Sequence, residues 1–420
     1  MMTDPEVRPD RRLRLFESLP VSLTARKASG NRIWTDEYGE LVDMESGCWA
    51  APLGHAHPEI LETLIEQAPR ALHLHEKFVL RHASDLTEAL CDASGLSGGD
   101  YCGTYLTSGT EAVSAAVWLA ENLTKRTRKL CTNLSYLGAT PDLRMPRNPD
   151  AWTDLDIRGC LDCGASSRCD LCEKLDGIDF RDHACFVFEP GNSGGRVLCP
   201  PPKLVSHLSA RIRETGGLVV CNEVTTGFGR TGRWFGFQHY PSLVGASDLP
   251  DLIALGKGLG NGYPVSGVLL RSSLARQARE ENLIYVQSHI DDPLGCAVAR
   301  KVVEILGRDG LVARGDRVGA SLRAQVEEAR GGLRGISEVR GRGMMNVFQV
   351  PPEASPSRLF TALLRRGYFL GLSKRFQLLR AYAPLTLTDE EVRGFSSALR
   401  QALEEEGEEG RSPETPSPRG

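Results

Sequence analysis

The sequence predicts an α/β fold with a large, doubly wound, mostly parallel sheet domain and a second, smaller α/β domain. Three observations carry this. Between residues 100 and 306, short continuous apolar runs alternate with amphipathic stretches of helical period. Uninterrupted apolar runs suit strands covered by helices on both faces, as in a parallel sheet. The chain has 420 residues, more than one core usually serves, and after Leu306 its character changes to helix, short strands and helix.

The elements follow in order. Residues 1–20 are charged and carry prolines, so they read as a flexible N-terminus. Residues 21–60 contribute the first part of the smaller domain, and residues 61–306 form the large one. Its strands are expected at 103–106, 130–134, 184–188, 218–221, 252–255 and 267–270, with helices at 111–123, 203–215 and 293–306. Residues 307–403 complete the smaller domain, with helices or strands at 322–329, 347–350, 357–366 and 390–403. The acidic, proline-bearing stretch 404–420 cannot bury enough apolar surface to order itself and reads as a disordered tail.

Composition narrows the function. Fifty Lys and Arg against 54 Asp and Glu give a net charge of −4, with no basic stripe, which argues against nucleic-acid binding. No apolar run reaches the roughly 18 residues of a membrane helix, and the first residues lack the apolar centre of a signal peptide, so the expectation is a cytoplasmic protein without a membrane partner. Nine of the basic residues are lysines. A lysine in an unusual setting therefore stands out.

Lys257 is such a lysine. It follows the apolar run 252–255 within Gly256-Lys257-Gly258-Leu259-Gly260. Flanking glycines allow a flat ligand to approach, and partial desolvation lowers the amine's pKa and favours the nucleophilic form. Thirty-five residues earlier, the run 218–221 closes on Asn222 and Glu223, which places polar groups at a strand end. Farther upstream, Ser108-Gly109-Thr110 lies between a strand and a helix start, where free N–H groups can hold a phosphate. Singly, these are a loop lysine, a strand-to-turn transition and an ordinary N-cap. Together they are the parts that hold pyridoxal phosphate: an amine for its aldehyde, a cradle for its phosphate and a polar group for its ring nitrogen.

At this point the chain resembles the class-III (ornithine- and omega-type) aminotransferases of fold type I over roughly residues 25–400. The resemblance rests on Gly54-His55-Ala56-His57-Pro58, Ser108-Gly109-Thr110-Glu111-Ala112, Glu189-Pro190, Asn222-Glu223-Val224, Gly227-Phe228-Gly229-Arg230-Thr231-Gly232, Gly256-Lys257-Gly258 and Pro293-Leu294. Arg340-Gly341-Arg342-Gly343 and Leu379-Arg380 continue it. It implies that Lys257 joins the cofactor as an imine and moves the proton at the substrate carbon, with transfer passing through pyridoxamine phosphate. Ser108, Gly109 and Thr110 would bind phosphate, Tyr136 and Val224 would flank the ring, and Asn222 and Thr225 would complete the cofactor site. Ser288 matches a hydroxyl that the neighbouring subunit lends, which implies a homodimer with shared active sites. Arg380 matches the arginine that holds a substrate carboxylate, for which its planar fork is suited. The partners implied are an amino-acid donor and a keto or aldehyde acceptor.

The departures matter as much. The family's aspartate at the ring nitrogen is Asn222 here, and a neutral amide does not keep that nitrogen protonated. Glu223 is expected to face the other way. The family's ring-side histidine is Leu137, its glutamine after the valine is Thr225, and the glutamate that neutralises the substrate arginine in many members is Gly194. This Asn-Glu-Val-Thr-Thr-Gly variant resembles a bacterial subgroup with members in natural-product pathways, so a tailoring step is one reading of the role. An epimerase, aminomutase or lyase on the same scaffold, or a cofactor-binding scaffold without turnover, are the alternatives.

Twelve cysteines are many for such a chain, and four of them are spaced Cys160-x2-Cys163-x5-Cys169-x2-Cys172. Two such pairs can bring four thiolates to one tetrahedral ion, so the insertion 158–174 is expected to hold a structural zinc. The alternative is a cysteine-rich insertion without metal. The remaining cysteines and the histidines read as packing or surface residues.

Overall fold

The computed structural model describes residues 13, 15, 19–75, 77–78, 81–96, 100–133, 135–163, 169–191 and 194–409; most of the expected flexible N-terminus lies outside these. Seven strands form the large sheet, in the spatial order Tyr101–Leu106, Ser266–Arg271, Leu252–Leu255, Leu218–Asn222, His183–Phe188, Arg128–Thr132, Trp152–Leu155. Ser266–Arg271 runs antiparallel to both its neighbours, and the other pairs are parallel.

The continuous apolar runs have a direct cause. Successive side chains of a strand point to opposite faces, and both faces are covered. Val187, Val220 and Ala254 pack with the helix Gly109–Thr124 in one core, while Phe186, Val219 and Ile253 pack in the other, which also holds Leu208 and Ile212 of the helix Pro202–Glu214. All six expected strands are present. The seventh, Trp152–Leu155, carries no apolar run because it is a short sheet edge whose middle residues, Thr153 and Asp154, are polar and only half-buried. Polar contacts hold it: the buried Arg147 bonds Asp154 at 2.6 Å and the Ser135 carbonyl at 2.7 Å.

Both ends of the chain meet in a second region. Ala25–Ser29, Arg32–Thr35 and Gly39–Asp43 form an antiparallel meander, and Tyr368–Phe369 joins its last strand in parallel. A further antiparallel sheet, Glu338–Arg342, Met345–Gln349, Leu378–Ala381 and Gly371–Ser373, is covered by Leu311–Ala329, Pro356–Arg365 and Asp389–Glu409. The last helix runs to Glu409, past the point where the tail was expected to begin. Leu403 is buried and Glu405 bonds Arg366 at 2.8 Å, so the first tail residues are anchored; residues 410–420 lie outside the described ones.

Candidate active site

Four strands, Tyr101–Leu106, His183–Phe188, Leu218–Asn222 and Leu252–Leu255, point their carboxyl ends to the same edge of the large sheet. In open parallel sheets that edge is where ligands bind. A cavity of about 450 Å³ opens there, lined by Thr110, Tyr136, Asn222, Thr225, Lys257 and Arg380, with Gly109 and Val224 in its wall. A larger hollow of about 790 Å³ runs along Tyr101, Cys102, Gly103 and Thr104 of the strand Tyr101–Leu106, and its lining holds no lysine.

Lys257 leaves the strand Leu252–Leu255 through Gly256 and takes a left-handed backbone conformation, φ 43°. A non-glycine residue there is strained, a state that persists where the surroundings impose it. Its Nζ donates to Thr225 Oγ1 at 2.6 Å and stands 4.8 Å from the centre of the Trp49 ring. Burial pushes its pKa down to about 8, against the opposing pull of Glu189 and Cys48.

The helix Gly109–Thr124 starts at the cavity. Ser108 is its N-cap: its Oγ accepts from the Glu111 N–H at 3.3 Å while Glu111 Oε2 accepts from the Ser108 N–H at 2.8 Å. This reciprocal cap occupies the Ser108 side chain and leaves Gly109 and Thr110 in the cavity wall. Gly109 leaves no room for a side chain, and Gly256 leaves little. A Cβ on Gly109 would lie 2.5 Å from Val224 Cγ1, and one on Gly256 would lie 3.2 Å from the same atom. Two bare backbones thus let Val224 sit against the cavity.

Asn222 is nearly fully buried. Its Nδ2 donates to the Tyr136 carbonyl at 3.0 Å and its Oδ1 accepts from the Val224 N–H at 3.2 Å, a pair of bonds that fixes the amide's orientation. One N–H of the amide remains for a ligand. Glu223 faces away, as expected: its carboxylate accepts from Thr226 Oγ1 at 2.6 Å, from Gly236 N at 2.8 Å and from Phe237 N at 2.7 Å.

Arg380, on the strand Leu378–Ala381, closes the other side. Its guanidinium lies 5.1 Å from the Trp49 ring and 3.8 Å from Glu45. Gly195, φ 89°, is pressed against it, since a Cβ there would meet Nη1 at 2.5 Å. Sequence reasoning missed Trp49 and Glu45. Their signal is faint, a tryptophan and an acid in a short polar stretch just before the Gly54-His55 turn, and nothing local ties them to position 380.

Not every expected residue is in the cavity wall. Ser288 is exposed, with its Oγ 3.0 Å from His289 Nδ1, while Gln287 reaches Glu111 at 2.9 Å. In the insertion, Cys163 N donates to the Cys160 carbonyl at 3.3 Å and Cys172 N to that of Cys169 at 3.2 Å, so each pair forms a tight turn. The thiol pKa values of Cys160 and Cys169 are raised by burial first and by the other cysteines. Among the described residues, the three ligand atoms that gather within 4.8 Å belong instead to His73, His289 and Asp292, of which both histidines are exposed.

Residues 17–142 and 170–403 match the family model described as aminotransferase class-III. The chain belongs to the class-III aminotransferases. This aminotransferase is 27% identical to an acetylornithine aminotransferase of Methanopyrus kandleri, over 93% of this chain and 96% of the relative. It is 24% identical to a probable 4-aminobutyrate aminotransferase of Bacillus subtilis, over 90% and 92%. Its fold superposes on an S-selective transaminase from an Arthrobacter species with TM-score 0.84 at 18% identity, covering 96% and 97% of the two chains. The family match skips residues 143–169, the stretch holding the edge strand and three of the four paired cysteines.

Class-III aminotransferases depend on pyridoxal phosphate, and the donor set of the cavity fits that group: a desolvated amine, a helix N-terminus, and a buried amide with an N–H to give. Among the described residues, no helix of the aminotransferase is long and apolar enough to cross a membrane.

Proposed function

We propose that this aminotransferase moves an amino group from a carboxylate-bearing amino acid to a ketone or aldehyde, with Lys257 as the catalytic amine and Arg380 as the carboxylate anchor. One observation carries the reading: the Lys257 amine and the Arg380 guanidinium face one cavity from opposite domains, with the Trp49 ring within 4.8 Å and 5.1 Å of them.

When bound, pyridoxal phosphate supplies an aldehyde that exchanges amines and a ring that draws off the electron pair left when the substrate carbon gives up its proton. The chain's own residues do the rest. Lys257 would hold the cofactor through Nζ and, once released from it, take and return the proton at the substrate carbon. Thr225 Oγ1, 2.6 Å from that nitrogen, keeps it aimed into the cavity. The N–H groups of Gly109 and Thr110 would receive the phosphate, aided by the positive end of the helix. Val224 and Tyr136 would confine the ring. Asn222 would donate to a neutral ring nitrogen, which gives a weaker electron sink than a protonated one.

The same reading includes a homodimer. The segments around His73 and His289 touch through stacked rings, 4.5 Å apart, and carry Leu72, Phe78, Ile284 and Val286 at 61–88% exposure. A second copy would cover these side chains and bring its Ser288 to the cavity. We also propose a structural zinc on Cys160, Cys163, Cys169 and Cys172, supported by the two tight turns.

The test is direct. Purified holoenzyme mixed with amino-acid donors should convert its visible cofactor band and release a keto acid. Silence with every donor would remove the reading. Sedimentation should give twice the chain mass, and metal analysis about one zinc per chain; a value well below that removes the zinc.

A further inference from the structure

Arg380 faces a carboxylate that its own chain supplies. Glu45 follows the strand Gly39–Asp43, and its side chain turns inward to place Oε2 3.8 Å from Arg380 Nη2 and 2.9 Å from Trp49 Nε1. Room for it is made by Gly371, where a Cβ would lie 2.5 Å from the carboxyl carbon. Oε1 is buried and has no hydrogen-bond partner, and so is Arg380 Nε. The pair is therefore close and incompletely bonded on both sides, an arrangement that can exchange one carboxylate for another provided that neither charge is left buried and unpaired.

The surroundings explain why Glu45 can change its charge. Asp43, fully buried, adds a negative charge beside it, but Asp43 is bonded to His55 at 2.7 Å and to two backbone N–H groups. Arg230, also buried, directs its guanidinium to the carbonyls of Tyr382 and Ala383 and to Ser46 Oγ. Tyr382 stays neutral because burial pushes its pKa up. Burial, with Asp43 adding to it, pushes the Glu45 pKa up to about 7, while Arg380 and the Trp49 N–H hold it from rising further.

We propose that Glu45 is the internal counter-ion of Arg380, holding the guanidinium when no carboxylate is bound and taking a proton from solvent when a substrate carboxylate displaces it. The proposal rests on Arg380 being the carboxylate anchor. Two carboxylates brought to the Arg380 guanidinium repel each other, which favours protonation of the one held in the buried position, Glu45. The bound carboxylate thus raises the Glu45 pKa above its resting value. A substrate without a carboxylate leaves the Glu45–Arg380 pair intact and meets no bare cation. One site then serves both the acidic donor and an uncharged acceptor.

The sign of the pH effect follows. Below pH 7, Glu45 is already protonated and carboxylate binding takes up no proton. Between pH 7 and the raised value, binding takes up close to one proton and weakens by up to about tenfold per pH unit. The test is calorimetric titration of the purified protein with propanoate, which has the carboxylate and no amine, in HEPES and in Tris at pH 6–9. Wild-type protein should show this uptake and slope. Glu45→Gln should lose both and bind propanoate more tightly than wild type at pH 8.5, and Arg380→Ala should not bind it. Retention of the wild-type uptake and slope in Glu45→Gln overturns the proposal, as does a flat wild-type profile or unchanged binding in Arg380→Ala. A failure of the cofactor reading shows separately, as absence of the cofactor's visible band, and leaves the proton count readable.

Discussion

The two walls of the cavity are built by different means. The wall holding Lys257, Gly109, Thr110, Asn222 and Val224 consists of residues that directly follow or end parallel strands of one sheet, so their spacing is inherited from the strand spacing. The wall holding Arg380 and Trp49, with the buried Glu45 beside them, joins a strand of the second region to a turn near the N-terminus, and Gly195 is pressed against Arg380. In the first wall the polar groups are bonded in pairs, as Asn222 is to Tyr136 and Lys257 to Thr225. The second carries the buried atoms without partners, Glu45 Oε1, Arg380 Nε and the Tyr382 hydroxyl. Cofactor chemistry needs fixed geometry, whereas a site that admits two unlike substrates needs groups that can change partners.

That contrast can be broken by substitution. The largest effect is expected for Lys257→Ala: turnover should fall on the order of 10⁴-fold or more with loss of general acid–base transfer, and borohydride should trap no cofactor on the chain. Next come the two glycines. Gly109→Ala drives a Cβ to 2.5 Å from Val224, and Gly195→Ala drives one to 2.5 Å from Arg380. Overpacking of this kind costs about 1–3 kcal/mol. In Gly109→Ala the loss should appear as weaker cofactor binding in a fluorescence titration, with donor KM unchanged. In Gly195→Ala it should appear as a raised donor KM with cofactor binding unchanged. If both variants moved the same constant, the two walls would not be separable.

A smaller effect comes from pH. With the Lys257 pKa lowered to about 8, the free amine predominates above that value and declines below it. Capture of pyridoxal phosphate by the cofactor-free protein, followed by stopped-flow absorbance, should slow by about tenfold per pH unit below pH 8 and level off above it. The smallest change is expected for Asn222→Asp, which places a carboxylate at the ring nitrogen. The cofactor band should then hold its protonated-ring form to higher pH; an unchanged spectrum and pH dependence would remove the role given to Asn222.

Legibility in the sequence followed the same division. The strand ends could be read because a doubly covered strand must be apolar throughout, so the first polar residue after it marks the edge of the sheet. Lys257 and Asn222 were found in this way. The edge strand Trp152–Leu155 escaped because its two middle residues are polar and half-buried, and the Arg147–Asp154 pair that holds it leaves no apolar run. Ser108 was placed with the phosphate cradle, yet its side chain caps its helix, since capping and anion binding draw on the same residue types at the same position. Glu45 escaped altogether, because nothing within several residues of it shows that its partner lies 335 positions later.

By itself the sequence determined the parallel sheet, and it pointed to the strand-end edge and to Lys257, the amine proposed to act there. Each follows from local rules: burial on two faces, the polar residue that ends a strand, the glycines that bare a lysine. The tertiary structure alone decided which acid stands against Arg380 and that Trp49 contacts both charged side chains. Such pairings depend on how separate segments pack in space, and a buried charge takes its properties from whatever that packing brings beside it.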